Sequence, residues 1–392
     1  MTVLESEGSV VAASVNGFSI GELGHIAELD GVRGLAILLV LELHLVASSL
    51  GPLRRLASAG WVGVDLFFVL SGFLITRILR RALGTPSFFR NFYARRALRI
   101  WPLYYALMAF AFLGTRFLPE GLRIGADLFP FYATFTQNLL GWKGFGPWAI
   151  AVTWSLAIEE QFYFVWPLCV RYLDWRRLIL LLVALLLIVP IGRFIGLASG
   201  VPPITVYTTT WFRIDTLGAG ALAALLVDSP WRLRVERWSV PVAVVALSVG
   251  SIFAVMVVGG DRLIIQVSAI GGRLALGYAL TFSIFALGFS ALVVLAASDR
   301  PSTLRRLFRN RVLRYLGKIS FGVYLIHGMT ILIAQTYLRD WLRQAGLSGM
   351  RLSAVVVGSA LAATFLLAEI SWRFLETPAL RLRRFFLVRP HP

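Results

Sequence analysis

Residues 29–50 read LDGVRGLAILLVLELHLVASSL. A helix that crosses a bilayer needs about 20 predominantly apolar residues, and this run supplies them. It also carries Arg33, Glu42 and His44, three ionisable groups in surroundings where each is expensive. At ~100° per residue the path from Arg33 to His44 ends about 20° past three full turns, so an unbroken α-helix puts both on one face, about 16 Å apart. Glu42 then falls on the opposite side, where it pairs with another helix or snorkels outward.

Nine further segments repeat the pattern, near 61–79, 101–118, 148–170, 178–198, 205–227, 238–258, 274–297, 315–338 and 353–375. The predicted fold is all-α: a polytopic integral membrane bundle of about ten transmembrane helices. With 58% of residues hydrophobic and only 15% charged, an ordinary soluble enzyme is excluded. The stretch 127–140 is too short and too aromatic for a span, and reads as a re-entrant or interfacial piece.

A formal net charge of +18 raises the possibility of nucleic-acid binding. The arginines fall between the apolar runs, however, so the expected partner is the lipid bilayer and not nucleic acid. With the amino end inside, inner segments hold twenty-three arginines against ten basic residues outside. That asymmetry predicts both termini on the cytoplasmic side. Glu5, Glu7, Glu22, Glu28 and Asp30 give the start of the chain a character opposite to that of a secretory signal. No repeat or second domain is apparent, which gives a cytoplasmic tail over 1–28, a membrane domain over 29–380 and a basic cytoplasmic tail over 381–392. The lone Cys169 can form no intrachain disulfide, and the four histidines lack metal-ligand spacing.

The charges inside the expected spans are the functional candidates. Asp65, in WVGVDLFFVLSGF, lies at a depth similar to that of His44, so a contact that orients the imidazole is possible; interhelical hydrogen-bond glue is the other reading of both. WSLAIEEQFYFVWP places Glu159 and Glu160 about 100° apart, so at most one addresses any given point of a cavity. Arg213 and Asp215 lie at a similar depth, and an ion pair from Arg213 to Glu159 or Glu160 is the simplest account of them. His327 sits near mid-membrane on an aromatic-rich helix, with Lys318 closer to the inner surface. The segment FFRNFYARRALRIWPLYY reads as a loop with no acid between Arg77 and Arg99. Arg95, Arg96 and Arg99 with interleaved aromatics suit the phosphates of a nucleotide, and equally suit anionic lipid.

Taken in order, LDGVRGLAILLVLELH, WVGVDLFFVLSGFLITRIL, FYARRALRIWPLYY, TWSLAIEEQFYFVWP, FRIDTLGAGALAA, LGKISFGVYLIH and ETPALRLRR resemble acyltransferase family 3, the membrane O-acyltransferases, from about Leu29 to Arg384. The resemblance implies activity linked to an Arg and a His separated by ten intervening residues on the first span, which are Arg33 and His44 here. It implies a further pair, Arg96 and Arg99, before the third span, and marks the Glu159–Glu160 segment as a signature. Glu42 departs from the apolar residue expected there. No extra hydrolase-like domain of the kind some relatives carry is seen, so the membrane unit is expected to handle the acceptor alone.

The resemblance thus implies transfer of an acyl group, most simply acetyl, from cytoplasmic acyl-CoA to a hydroxyl of a glycan, lipid-linked sugar or other small acceptor. The expected site joins His44, Asp65, Glu159 and Glu160 as catalytic candidates and Arg33, Arg95, Arg96, Arg99 and Lys318 as donor-binding candidates, with Arg213, Asp215 and His327 facing the cavity. Acyl-CoA is a co-substrate, and no permanent cofactor or metal is expected. Two rival readings are a secondary transporter, which needs no phosphate site, and a non-catalytic sensor or scaffold.

Overall fold

The computed structural model describes residues 26–46, 60–117, 123–140, 148–258 and 272–386. His25, His391, most of the expected 1–28 tail and several loop arginines lie outside these residues. Among them the chain is helical throughout, without strands. Ten long helices correspond to the ten expected spans: α1 (Ala27–Leu41), α2 (Val62–Arg81), α3 (Phe88–Gly114), α4 (Trp154–Tyr172), α5 (Trp175–Ala198), α6 (Ile214–Val227), α7 (Arg232–Val258), α8 (Gly272–Ala297), α9 (Arg311–Ile333) and α10 (Gly349–Ser371). Seven described helical stretches, containing α2, α3, α5, α7, α8, α9 and α10, are long and apolar enough to cross a membrane. The other three are α1, α4 with its two glutamates, and α6, which is only 14 residues long.

Four local departures from the expected spans shape the site. The arginine segment is no loop: α3 already begins at Phe88, and Pro102 lies within the helix. Arginine is a good helix former, so charge keeps this stretch out of hydrocarbon without breaking its backbone. The run 148–170 is interrupted after Ala151, where the Thr153 hydroxyl donates to the Ile150 carbonyl and the Gln137 amide donates to the Thr153 carbonyl. The run 205–227 is split into Pro203–Thr208, a tight turn at Thr210–Phe212, and α6. Thr208 and Thr209 return their hydroxyls to the carbonyls of Ile204 and Thr205, local bonds that compete with regular helix. Finally, Glu42–Val46 is a π-helical turn at the end of α1, which alters the phase of every residue beyond Leu41.

The described ends of the chain are tied down. Glu28 is buried and accepts from Arg305 at 2.6 Å and Arg309 at 2.7 Å. At the other end Arg95 donates to the carbonyl of Phe386 at 3.1 Å. The 127–140 stretch contains only short pieces, including Phe129–Ala133 and Gln137–Leu139.

α2 and α6 run side by side in contact through small residues. A Cβ at Gly72 would collide with the Leu217 carbonyl, and one at Gly220 with the Val69 carbonyl. Each glycine lies two turns beyond a charge, Asp65 on α2 and Arg213 ahead of α6, so this close approach sets how those charges meet. Gly220→Leu is therefore expected to lower stability by about 1–3 kcal/mol or more through overpacking. Gly114→Leu, with nothing within 4 Å of an added Cβ, should leave the melting temperature in detergent nearly unchanged. Equal melting temperatures for both variants would contradict this packing.

Candidate active site

The α6 side of the bundle holds four buried charges in two ion pairs. Arg213 pairs with Asp65, and both are fully buried. Arg193, near the end of α5, meets Asp215 through two bonds of 2.9 and 2.8 Å and also donates to Ser283 on α8. The same guanidinium donates to the Phe212 carbonyl at 2.6 Å and the Ala279 carbonyl at 2.9 Å, the former in the turn where the 205–227 run breaks. The Phe282 ring lies 4.2 Å from the Arg213 guanidinium carbon and 5.4 Å from that of Arg193.

These pairs correct two expectations. Asp65 does not orient His44, because its Oδ1 is taken by Arg213 and its buried Oδ2 has no hydrogen-bond partner. Arg213 does not reach Glu159 or Glu160, because α6 begins against α2 and carries Arg213 there. Arg193 was missed, although a charge amid WRRLILLLVALLLIVPIGRFIG was the signal that could have found it.

A second group of charges surrounds a cavity of about 100 Å³. Arg33 from α1 and Arg96 and Arg99 from α3 line it together with Ser71, Glu159 and Tyr324. Glu159 accepts from Ser71 at 2.9 Å and from Tyr163 at 3.0 Å. The Arg96 guanidinium lies over the Tyr163 ring at 5.0 Å, which fixes it beside that carboxylate. Glu160, one residue on, is not part of this wall, and one of its buried oxygens has no hydrogen-bond partner. Arg95 also points elsewhere, to the Phe386 carbonyl. Arg33 and Arg99 border in addition a wider cavity of about 550 Å³ that includes Lys318. The roles of Ser71, Tyr163 and Tyr324 carried no sequence signal, since a hydroxyl or phenol on a span is ordinarily packing.

His44 lies in the π-helical turn, outside the wall of either cavity. Its Nδ1 is 2.9 Å from the Val40 carbonyl, and its ring centre is 4.9 Å from that of His327. His327 Nδ1 lies 2.6 Å from the Tyr324 carbonyl, while its buried Nε2 has no hydrogen-bond partner. A carbonyl only accepts, so in each neutral ring Nδ1 carries the proton and Nε2 is the basic nitrogen. The Tyr324 ring, 5.7 Å from His327, separates this histidine pair from the small cavity; its phenol oxygen is 2.5 Å from Ser155 Oγ. The pairing of His44 with His327 could not be read from two positions so far apart in the chain.

The family model described as an acyltransferase domain matches residues 26–369. The chain belongs to this family, acyltransferase family 3. It is similar to the peptidoglycan O-acetyltransferase OatA of Listeria monocytogenes, at 30% identity over 90% of this chain and 56% of the relative. It is also similar to a putative O-acetyltransferase of Staphylococcus aureus strain COL, at 28% over 91% of this chain and 58% of the relative. A putative peptidoglycan O-acetyltransferase of Bacillus subtilis matches at 28% over 90% of this chain and 55% of the relative. The chain thus spans a little over half the length of these curated relatives. No solved structure matches it.

The ion-pair cluster generates a stability prediction. Asp215→Ala leaves Arg193 buried without its counter-charge and is expected to cost about 3–5 kcal/mol, seen as a large fall in melting temperature. Arg193→Met combined with Asp215→Leu removes both charges and should recover much of that loss. A double variant no more stable than Asp215→Ala would overturn charge compensation as the pair's role.

Proposed function

We propose that the protein is an O-acyltransferase of a bacterial cytoplasmic membrane that moves an acyl group, most simply acetyl, from acyl-CoA to a hydroxyl of a glycan. The observation that carries this reading is the meeting of Arg33, Arg96 and Arg99, from two helices, around one cavity beside Glu159. Guanidinium groups suit phosphate oxygens bidentately, which makes these three the residues that hold the donor. The similarity to peptidoglycan O-acetyltransferases supports acetyl as the group and a glycan as the acceptor.

In the transfer step the acceptor oxygen attacks the acyl carbonyl carbon while its proton passes to Nε2 of His44. The carbon–sulfur bond then breaks, and the departing thiolate takes up that proton. The Val40 carbonyl accepts from Nδ1 of His44, which makes Nε2 the basic nitrogen of the ring. His327 packs against the ring and restricts its orientation. Glu159, fixed by Ser71 and Tyr163, offsets the charge of Arg96 and keeps that guanidinium in place.

Release of free thiol from acetyl-CoA by purified protein in lipid, with glycan acceptors added in turn, tests the reading. His44→Ala is expected to lower turnover by about 10²–10⁴-fold while still folding, as judged by melting temperature. Equal turnover in the two proteins would remove His44 from the chemistry. Arg99→Lys is expected to raise KM for the donor, because an ammonium lacks the planar two-pronged donor face. An unchanged KM would mean that charge alone suffices at that position.

A further inference from the structure

We propose that the wide cavity beside the start of α9 is a second phosphate-binding subsite, which takes the 3′-phosphorylated nucleotide end of the acyl-CoA donor. This rests on the donor reading above. The cavity, about 550 Å³, is bordered on one side by Arg311, Arg314 and Lys318 and on the other by Arg33 and Arg99. Positions 311, 314 and 318 are spaced i, i+3 and i+7, so they form one stripe along α9. Asp30 is the acid in this wall, and its Oδ1 is held by Arg33 at 2.8 Å.

Shared lining distinguishes this stripe from a general basic anchor, because its three cations face one cavity with Arg33 and Arg99. On neighbouring elements Arg305 and Arg309 pair with Glu28, and Arg373 with Glu369. Among the described residues Arg311, Arg314 and Lys318 make no ion pair, and all three border this open cavity. Five cations against one acid, Asp30, repel one another, and a ligand with several phosphate charges relieves that repulsion. Tyr315 and Trp372 add aromatic walls suited to a purine, with the Lys318 ammonium 5.1 Å from the Trp372 ring centre.

Connectivity selects the donor over a bare phosphate. Arg33 and Arg99 border both cavities. Phe321 on α9 lines the small one, ten residues beyond Arg311, a rise of about 15 Å. An extended pantetheine arm can bridge that distance. Phosphates at the α9 stripe therefore leave the acyl end beside Glu159 and Tyr324.

The test is titration of adenosine 3′,5′-bisphosphate into wild-type protein and the Arg311→Gln/Arg314→Gln double variant, both in neutral phosphatidylcholine nanodiscs and both checked for folding. Wild type is expected to bind and the variant to bind about tenfold or more weakly, the effect of losing charge-assisted hydrogen bonds. Wild type should also show a lower KM for acetyl-CoA than for acetyl-dephospho-CoA, a preference that the variant loses. Failure of wild type to bind, or equal binding by both proteins, overturns the subsite. So does bisphosphate binding that phosphatidylglycerol in the nanodisc abolishes while the 3′-phosphate makes no difference to KM, which assigns the cavity to a lipid headgroup. Thiol release is scored separately: its absence in wild type overturns the donor reading, whereas the subsite stands or falls with the bisphosphate.

Discussion

A charge buried in a helical membrane bundle must be neutralised within a few ångströms, and the four charges around α6 meet that demand together. Asp65 and Arg213 form one pair, Arg193 and Asp215 the other, and Phe282 presents its ring to both guanidinium groups. Nε and Nη1 of Arg213 have no hydrogen-bond acceptor. The rings of Phe282, Tyr207 and Phe68 lie 4.2, 5.1 and 5.7 Å from its guanidinium carbon, so cation–π attraction partly replaces the missing bonds. Such an arrangement requires close helices, which Gly72 and Gly220 permit. Helices α2, α5, α6 and α8 are thereby linked by contacts that tolerate little relative movement.

That compensation makes the rest of the bundle asymmetric. Where α1, α3 and α9 meet, Arg33, Arg96, Arg99 and Lys318 line cavities in which Glu159 and Asp30 are the acids. A balanced cluster is self-sufficient; a cationic cavity has capacity to bind an anion. The division explains why charges of similar depth and burial belong to different parts of the protein. Asp65 and Arg213 stabilise α2 against α6, while Arg96 and Glu159 keep an open site in shape.

Much of the fold was legible because membrane helices declare themselves by length and apolarity. Each of the ten expected segments contains a helix, and the short reading of 127–140 agrees with the short pieces there. What periodicity could not give was the breaks: hydroxyl-to-carbonyl bonds at Thr153, Thr208 and Thr209 interrupt helices without altering hydropathy. The arginine segment reads as a loop because it joins two apolar runs, but hydropathy marks where lipid burial ends and not where the helix does, and α3 begins at Phe88. Within the site, Arg33, Arg96, Arg99 and Glu159 were recognisable as individual charges. Their partners were not, because which carboxylate meets which guanidinium depends on helix neighbours that one sequence does not specify.

The π-helical turn shows how a small change in backbone can redistribute function along one helix. On an unbroken α-helix Arg33 and His44 share a face, and a single cavity could claim both. Glu42–Val46 departs from that repeat, and His44 instead packs against His327 behind Tyr324 while Arg33 borders both cavities. π-Turns persist where a site uses the altered geometry they impose. Eleven residues of helix rise already set Arg33 and His44 at different levels of the bundle, and the turn adds a change of direction, so the cations border the cavities while the two imidazoles pack against each other. Tyr324 lies between them, its ring bordering the small cavity and its backbone carbonyl holding His327 Nδ1. A substrate that reached from one level to the other would have to pass that ring, which makes Tyr324 the residue where the two halves of the site are mechanically joined.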